Sequence, residues 1–170
     1  MAAKFTGREK ALAKLAAVPA RMRPKIRKAI AEGCKEITDM QKRMVPVGTG
    51  ALRDSIRTIF GNVHLSSSGN LAQGVTGGDP DLTATIVAGD ADAWYARQVE
   101  FGTAPHTIGP RQKGGSIAIN GNVLAPDRAV DHPGTAPRPF FYGPYRTLRK
   151  RVLRKVKSAG KKAVIEVANS

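Results

Sequence analysis

One cysteine, nine aromatic residues and 13 acids in 170 positions leave several protein classes without their raw material. A lone thiol, Cys34, forbids an internal disulfide and cannot build a zinc site. It lies among apolar helical positions and reads as a buried core thiol rather than a reactive one. No stretch approaches the roughly 18 consecutive apolar residues of a membrane span. The opening MAAKFTGREK has no apolar run of signal-peptide type, so a cytosolic origin is expected. Aromatics at 5 % imply a modest core, one that neighbouring subunits can complete. The length suits a single domain over 1–170.

The motifs of common chemistries are missing too. GxGxxG is absent, and VGTGAL lacks the lysine that holds a phosphate. His64, His106 and His132 stand in or beside loops, with no two at metal-ligand spacing. Asp79, Asp81, Asp90 and Asp92 lack the glutamate and the spacing of a calcium loop and read as solvated turns. Neither a metal nor a cofactor is expected.

What the chain has is positive charge at both ends. Residues 1–45 hold 12 Lys/Arg against 4 acids, residues 139–170 hold 9 against 1, and the centre is close to neutral, at 7 against 8. A net charge of +15 points to a polyanionic or acidic neighbour.

Two long helices are expected at those ends. Met22, Ile26, Ile30, Gly33, Ile37, Met40 and Met44 recur in steps of three and four, so one face of a helix is apolar. Pro24 suits its first turn and Pro46 ends it. Residues 1–21 form an arm or a short helix around 9–18, with Pro19 as the break. Lys28, Lys35 and Lys42 on the other face alternate with Glu32, Glu36 and Asp39 at pairing distance, an ordinary solvated surface. In the last segment, 140–167, Phe141, Tyr145, Leu148, Val152, Val156, Ala159 and Ala163 form one stripe. Arg146, Lys150, Arg154, Lys157 and Lys161 form a ridge opposite, with no acid among them. The ridge is either a surface that tracks phosphates or faces an acidic partner, or a plain solvated face. No aromatics interleave with it, so stacking on single-stranded bases is not supported.

Between the helices, PVGTGALRDSI reads as a corner with Thr49 capping a short helix. RTIFGNVHL and LTATIVAG read as strands, with a loop over 66–81 between them. Ser116–Ile119 and Val123–Leu124 are short strands split by Asn-Gly-Asn, a hairpin signal. The proline-rich stretch within 111–139 reads as an extended connector. The fold class is α+β: a long N-terminal and a long C-terminal helix on a small, mainly antiparallel sheet with extended loops.

WYARQVEFGTAPH gathers three aromatics within eight residues, then stops at Gly-Thr-Ala-Pro. Glu100 and His106 flank that break and are the one pair from which a hydrolase could be built. A structural loop fits better. Rigid aromatics and turn-forming residues suit a docking element, with Glu100 as an inter-subunit or core-edge partner for an arginine such as Arg138, and Tyr95 and Phe101 either docking or filling the core.

Three segments in order, PVGTGALRDSI, YARQVEFGTAPH and HPGTAPRPFFYGPY, resemble the tail-component family of long-tailed bacteriophages, the minor tail protein Z-like neck or tail-completion proteins. The resemblance runs from about Ile26 to about Val156 and is carried by Pro46, Gly48, Thr49, Gly50 and Leu52; by Tyr95, Glu100, Phe101, Gly102 and Thr103; and by Pro133, Gly134, Thr135, Pro137, Pro139 and Phe140. It implies a non-enzymatic virion protein at the neck, present in the host cytoplasm before assembly. The implied partners are its own copies in a ring, sixfold or else twelvefold, head-completion or connector proteins, and a tail terminator or tail tube protein. Packaged double-stranded DNA would be touched without sequence preference, and no membrane is implied. The insertions at 66–81 and 111–131 depart from the family pattern. The reading outside that family is a stand-alone basic DNA-binding protein using the C-terminal helix.

Overall fold

The computed structural model describes residues 8–61, 70–74, 80–119 and 122–169; the arm at 1–7, His64, Asp79 and most of the 66–81 loop lie outside them. Helix α1 runs Arg8–Met44 and helix α4 runs Tyr142–Asn169. They lie antiparallel: Gln41 meets Phe141, Glu36 meets Lys155, and Lys25 meets Glu166. Both apolar stripes face inward, with Ile37, Phe141 and Ala163 buried, whereas Met44 is exposed. Burial raises the pKa of the Cys34 thiol, as befits a core position. No described helix is long and apolar enough to cross a membrane.

Pro19 does not break the first helix, and Pro24 lies well inside it rather than in its first turn. An interior proline costs about 3 kcal/mol by removing one hydrogen bond and crowding the preceding turn. Pro24 and Ala20, whose carbonyl loses its donor, are both exposed, so solvent takes up that bond. Met22 and Ile26 meanwhile pack beside Gly160 of α4 and hold the segment helical.

The sheet is antiparallel with order β1-β3-β2, from β1 (Arg57–Phe60), β2 (Leu71–Gly74) and β3 (Ala84–Ala88). Central β3 is buried along Thr85–Ala88, whereas β1 is only partly covered. Strand β2 falls where a loop was expected. Four residues show too little alternation to be read as a strand, but Leu71, 3 % exposed, is drawn into the core and pairs with Ala88. A 3-10 turn at Pro80–Leu82 follows, and Asp81 there takes Arg23 and Arg27 of α1. The core joins Ile37, Val45, Leu52, Ile56, Leu71, Ile86, Ala96, Phe140 and Phe141. The chain is α+β, as its pattern indicates.

From Gly102 to Pro139 none of the described side chains is buried. This segment is a ribbon. Strand β4 (His106–Ile108) pairs with β7 (Val130–His132), and β5 (Ala118–Ile119) pairs with β6 (Asn122–Val123) beyond them. The hairpin signal at Asn120-Gly121 is matched by the β5–β6 pairing. The proline-rich connector is only partly irregular, because Val130–His132 finds a partner strand that local sequence cannot reveal.

Candidate functional site

Helix α3 (Ala96–Phe101) places Glu100 one turn after Ala96, on the same inward face. Glu100 is 3 % exposed and its carboxylate is fully engaged. Its Oε2 accepts the backbone N–H of Phe140 and of Phe141 at 2.8 Å each, and Oε1 accepts that of Tyr142 at 3.0 Å. These are donors that the start of α4 cannot satisfy within the helix, and they carry the positive end of its dipole. Pro144 falls in the first turn, where a missing N–H costs nothing. The backbone N–H of Arg138 donates to the Val99 carbonyl at 2.8 Å, closing the same joint from the other side. Glu100 therefore clamps a helix start 40 residues downstream. The arginine partnership expected for it is replaced by main chain, since the N-terminus of α4 already supplies the compensating charge.

Gln41 completes the joint. It is fully buried and donates through Nε2 to the Phe141 carbonyl at 2.9 Å. The same dipeptide is thus held by its N–H from one side and by its C=O from the other. Nothing in the sequence marks Gln41, a polar residue within an apolar helix face.

Below the clamp two loops cross. Gly-Thr-Ala-Pro occurs twice, at 102–105 and at 134–137. Thr103 and Thr135 exchange both backbone hydrogen bonds at 3.0 Å. Each is preceded by a glycine with left-handed φ, +73° at Gly102 and +85° at Gly134. A β-carbon on Gly102 would overlap the Thr135 carbonyl oxygen, and one on Gly134 the Thr103 carbonyl oxygen. The bridge keeps the register of β4 and β7, interrupted where Pro105 and Pro133 stand opposite one another without N–H groups.

The second and third motifs are therefore one unit. The first motif stands apart and meets them in the core, where Leu52 and Ile56 lie with Phe140. Gly50, not Thr49, is the N-cap of α2 (Ala51–Asp54); its φ of 93° suits glycine, and the Thr49 hydroxyl reaches only the Ala51 N–H at 3.4 Å. Pro46 is half-buried, Gly48 and Thr49 are exposed, and so are Pro133, Thr135, Pro137 and Pro139. Tyr95 packs partly against the core. Phe101 does not fill the core: it is 56 % exposed, with its ring tilted 35° to that of Tyr142 and the centroids 5.9 Å apart, because the helix turn that buries Glu100 points its neighbour outward.

His106 lies over His132 across the ribbon, with ring centroids 5.0 Å apart. His106 Nδ1 faces the Ala104 carbonyl and His132 Nδ1 accepts from Gly134 N–H. Glu100 is bound to α4, so it is not the partner of His106. Among the described residues no three His, Cys, Asp or Glu gather as a metal site.

The ridge Arg146, Lys150, Arg154, Lys157 and Lys161 is exposed throughout, and none of the five makes an ion pair among the described residues. Its neighbours Arg151 and Lys155 instead reach Glu36 of α1, which is 31 % exposed, so this acid of the expected solvated face pairs across to α4. The bond from Lys155, aided by the charges of Arg151 and Lys155, holds the Glu36 carboxyl below its usual range.

Comparison with curated proteins gives no match, and comparison with solved structures gives none. A family model does match, over residues 9–102, from α1 to the glycine at the root of the ribbon. That span includes Glu100 and ends before the second Gly-Thr-Ala-Pro. The chain belongs to the HK97-gp10-like family of bacteriophage proteins, a family assigned as tail components.

Proposed function

We propose that this chain is a structural protein of the head–tail joining region: a neck or tail-completion ring that links the head-side connector to the tail tube, with the genome passing through its lumen. The observation that carries this reading beyond family membership is the ribbon from Gly102 to Pro139. It has no core of its own, yet its root is fixed by the Thr103–Thr135 crossing and the Glu100 clamp. A rigid root under an uncovered ribbon suits a surface that is buried on assembly. The buried carboxylate, in turn, acts as a helix cap. Copies of the chain form the ring, sixfold or twelvefold, and its faces meet connector and tail proteins.

The ridge on α4 fits an acidic protein surface or the outer rim better than the lumen. A wall of unpaired cations would hold sliding DNA by its phosphates. The test is to add the purified protein to heads and tails from a phage lysate defective in it. Restored joining supports the reading; heads and tails that join equally well without it overturn the reading.

A second reading rests on the ridge itself. Five exposed cations on one helix face would let the free protein bind duplex DNA, with affinity falling steeply as salt rises. Salt-independent or absent binding removes it.

A further inference from the structure

A two-stranded ribbon by itself is marginal in water. Among the described residues β4–β7 and β5–β6 each pair without a third strand. The outer part of the ribbon also has a definite chemistry. Arg111, Lys113 and Arg128 are exposed, and Val123, between Lys113 and Arg128 in sequence, is 74 % exposed. The one acid there, Asp127, accepts the Gly114 N–H at 2.6 Å and is outnumbered by the three cations. The tip is basic with an apolar point.

The opposite chemistry lies on the turn before α3. Trp94 is 61 % exposed, standing edge-on to Tyr95 at 5.9 Å between ring centroids. Asp90 holds the turn by accepting the N–H groups of Asp92 at 3.1 Å and Ala93 at 2.9 Å. Asp92 is exposed and Asp90 half-exposed, against one exposed cation, Arg97, on the first turn of α3. An exposed aromatic ring that follows two carboxylates in one short turn is a receptor for a cation with an apolar neighbour.

We propose that the tip of the ribbon docks on the Asp90–Trp94 turn of a second copy of this chain. The match of charge selects that occupant. In a chain of net charge +15, this acid-flanked aromatic turn attracts the tip, whereas the α4 ridge repels it. Duplex DNA would satisfy the tip's cations but would leave Val123 and Trp94 uncovered. The two surfaces are different patches, so the contact is head to tail, and repetition closes a ring or extends a filament. The inference rests on the ring reading and names the surfaces that make the ring.

Trp94 is the only tryptophan, so its emission reports the contact directly. Emission and sedimentation are followed together as the concentration of the full chain is raised to its solubility limit. The expected result is association accompanied by a shift to shorter wavelength. Reversing the tip with Lys113→Glu and Arg128→Glu weakens association on the order of a hundredfold, as does Asp92→Lys. Mixing the tip variant with Asp92→Lys restores it, because each reversed tip then meets a reversed turn. Association without a change in Trp94 emission, or unaffected by either reversal, overturns the contact and leaves the ring reading standing. A chain that stays monomeric throughout overturns the contact too, while head–tail joining decides the ring reading separately. A shift produced only by added duplex DNA assigns the tip to nucleic acid and overturns the proposal.

Discussion

Thr103 and Thr135 each donate their backbone N–H to the other's carbonyl at 3.0 Å, and each follows a glycine in the left-handed region. The crossing is close to symmetric: the same four residues, run in opposite directions, pass over one another where neither can carry a β-carbon. It sits directly between the ribbon and the clamp on α4. Rigidity at this point sets where the ribbon points.

Gly102→Ala and Gly134→Ala should each destabilise the fold. The added carbon meets a main-chain oxygen that cannot swing away, and the φ angle is unfavourable as well. A loss of about 2–3 kcal/mol is expected at each, against little change for Gly48→Ala, where the space is open. Urea midpoints of the three variants check this. Equal, small effects would mean that the crossing does not constrain the chain.

Glu100→Gln keeps the shape of the clamp but turns an amide N–H₂ toward main-chain donors. It should cost about 3 kcal/mol, near 10 °C in melting temperature for a chain of this size. Hydrogen exchange at Phe140, Phe141 and Tyr142 should rise before the rest of α4 opens. A variant as stable as the parent would show that the carboxylate is not what starts α4.

Two buried glycines on the helix pair should respond in opposite directions. Beside Gly160 the nearest atoms to an added β-carbon are Met22 Cε at 3.7 Å and Ile26 Cδ1 at 3.8 Å, ordinary contact distances. Gly160→Ala is therefore expected to stabilise by roughly 1 kcal/mol through helix propensity. At Gly33 the β-carbon would run into branched Val152, so Gly33→Ala should destabilise despite the same propensity gain. Thermal melts that shift in the same direction for both would contradict the packing described.

Acid should loosen the α1–α4 pairing through Glu36. Its pKa is lowered in the folded chain, so its contribution is present above the ordinary carboxylate pKa and lost as pH falls through the lowered value. The fall in stability below the usual carboxylate range should be shallower in Glu36→Gln. Identical acid profiles for the variant and the parent would mean that the Lys155 and Arg151 contacts carry no linkage.

Reversing Lys150 and Arg154 to Glu should impair the joining of tails to heads while leaving the melting temperature nearly unchanged, since both side chains are exposed. Normal joining would remove any role for the ridge.

The two terminal helices are legible in sequence because a stripe of seven apolar residues at helical spacing admits little else. The central strand β3 is legible as a run of β-branched residues. Strand β2 is not, since four residues led by Leu71 gain their conformation from Ala88 and its neighbours rather than from their own pattern. Pro24 misleads because the packing of Met22 and Ile26 beside Gly160 outweighs a local cost of a few kcal/mol, and the helix runs through Pro19 as well. At the site, the aromatic and glycine-proline composition marks the right segments, but the partner of Glu100 lies 40 residues away in main chain. No side-chain rule selects it. The twice-used Gly-Thr-Ala-Pro is the signal that would have joined the second motif to the third.

The most direct test of the neck reading is native mass spectrometry of the purified protein, alone and mixed with tail tubes or filled heads. The account predicts a ring of one defined stoichiometry in the presence of a partner. A persistent monomer that ignores both partners and binds DNA at low salt would contradict it.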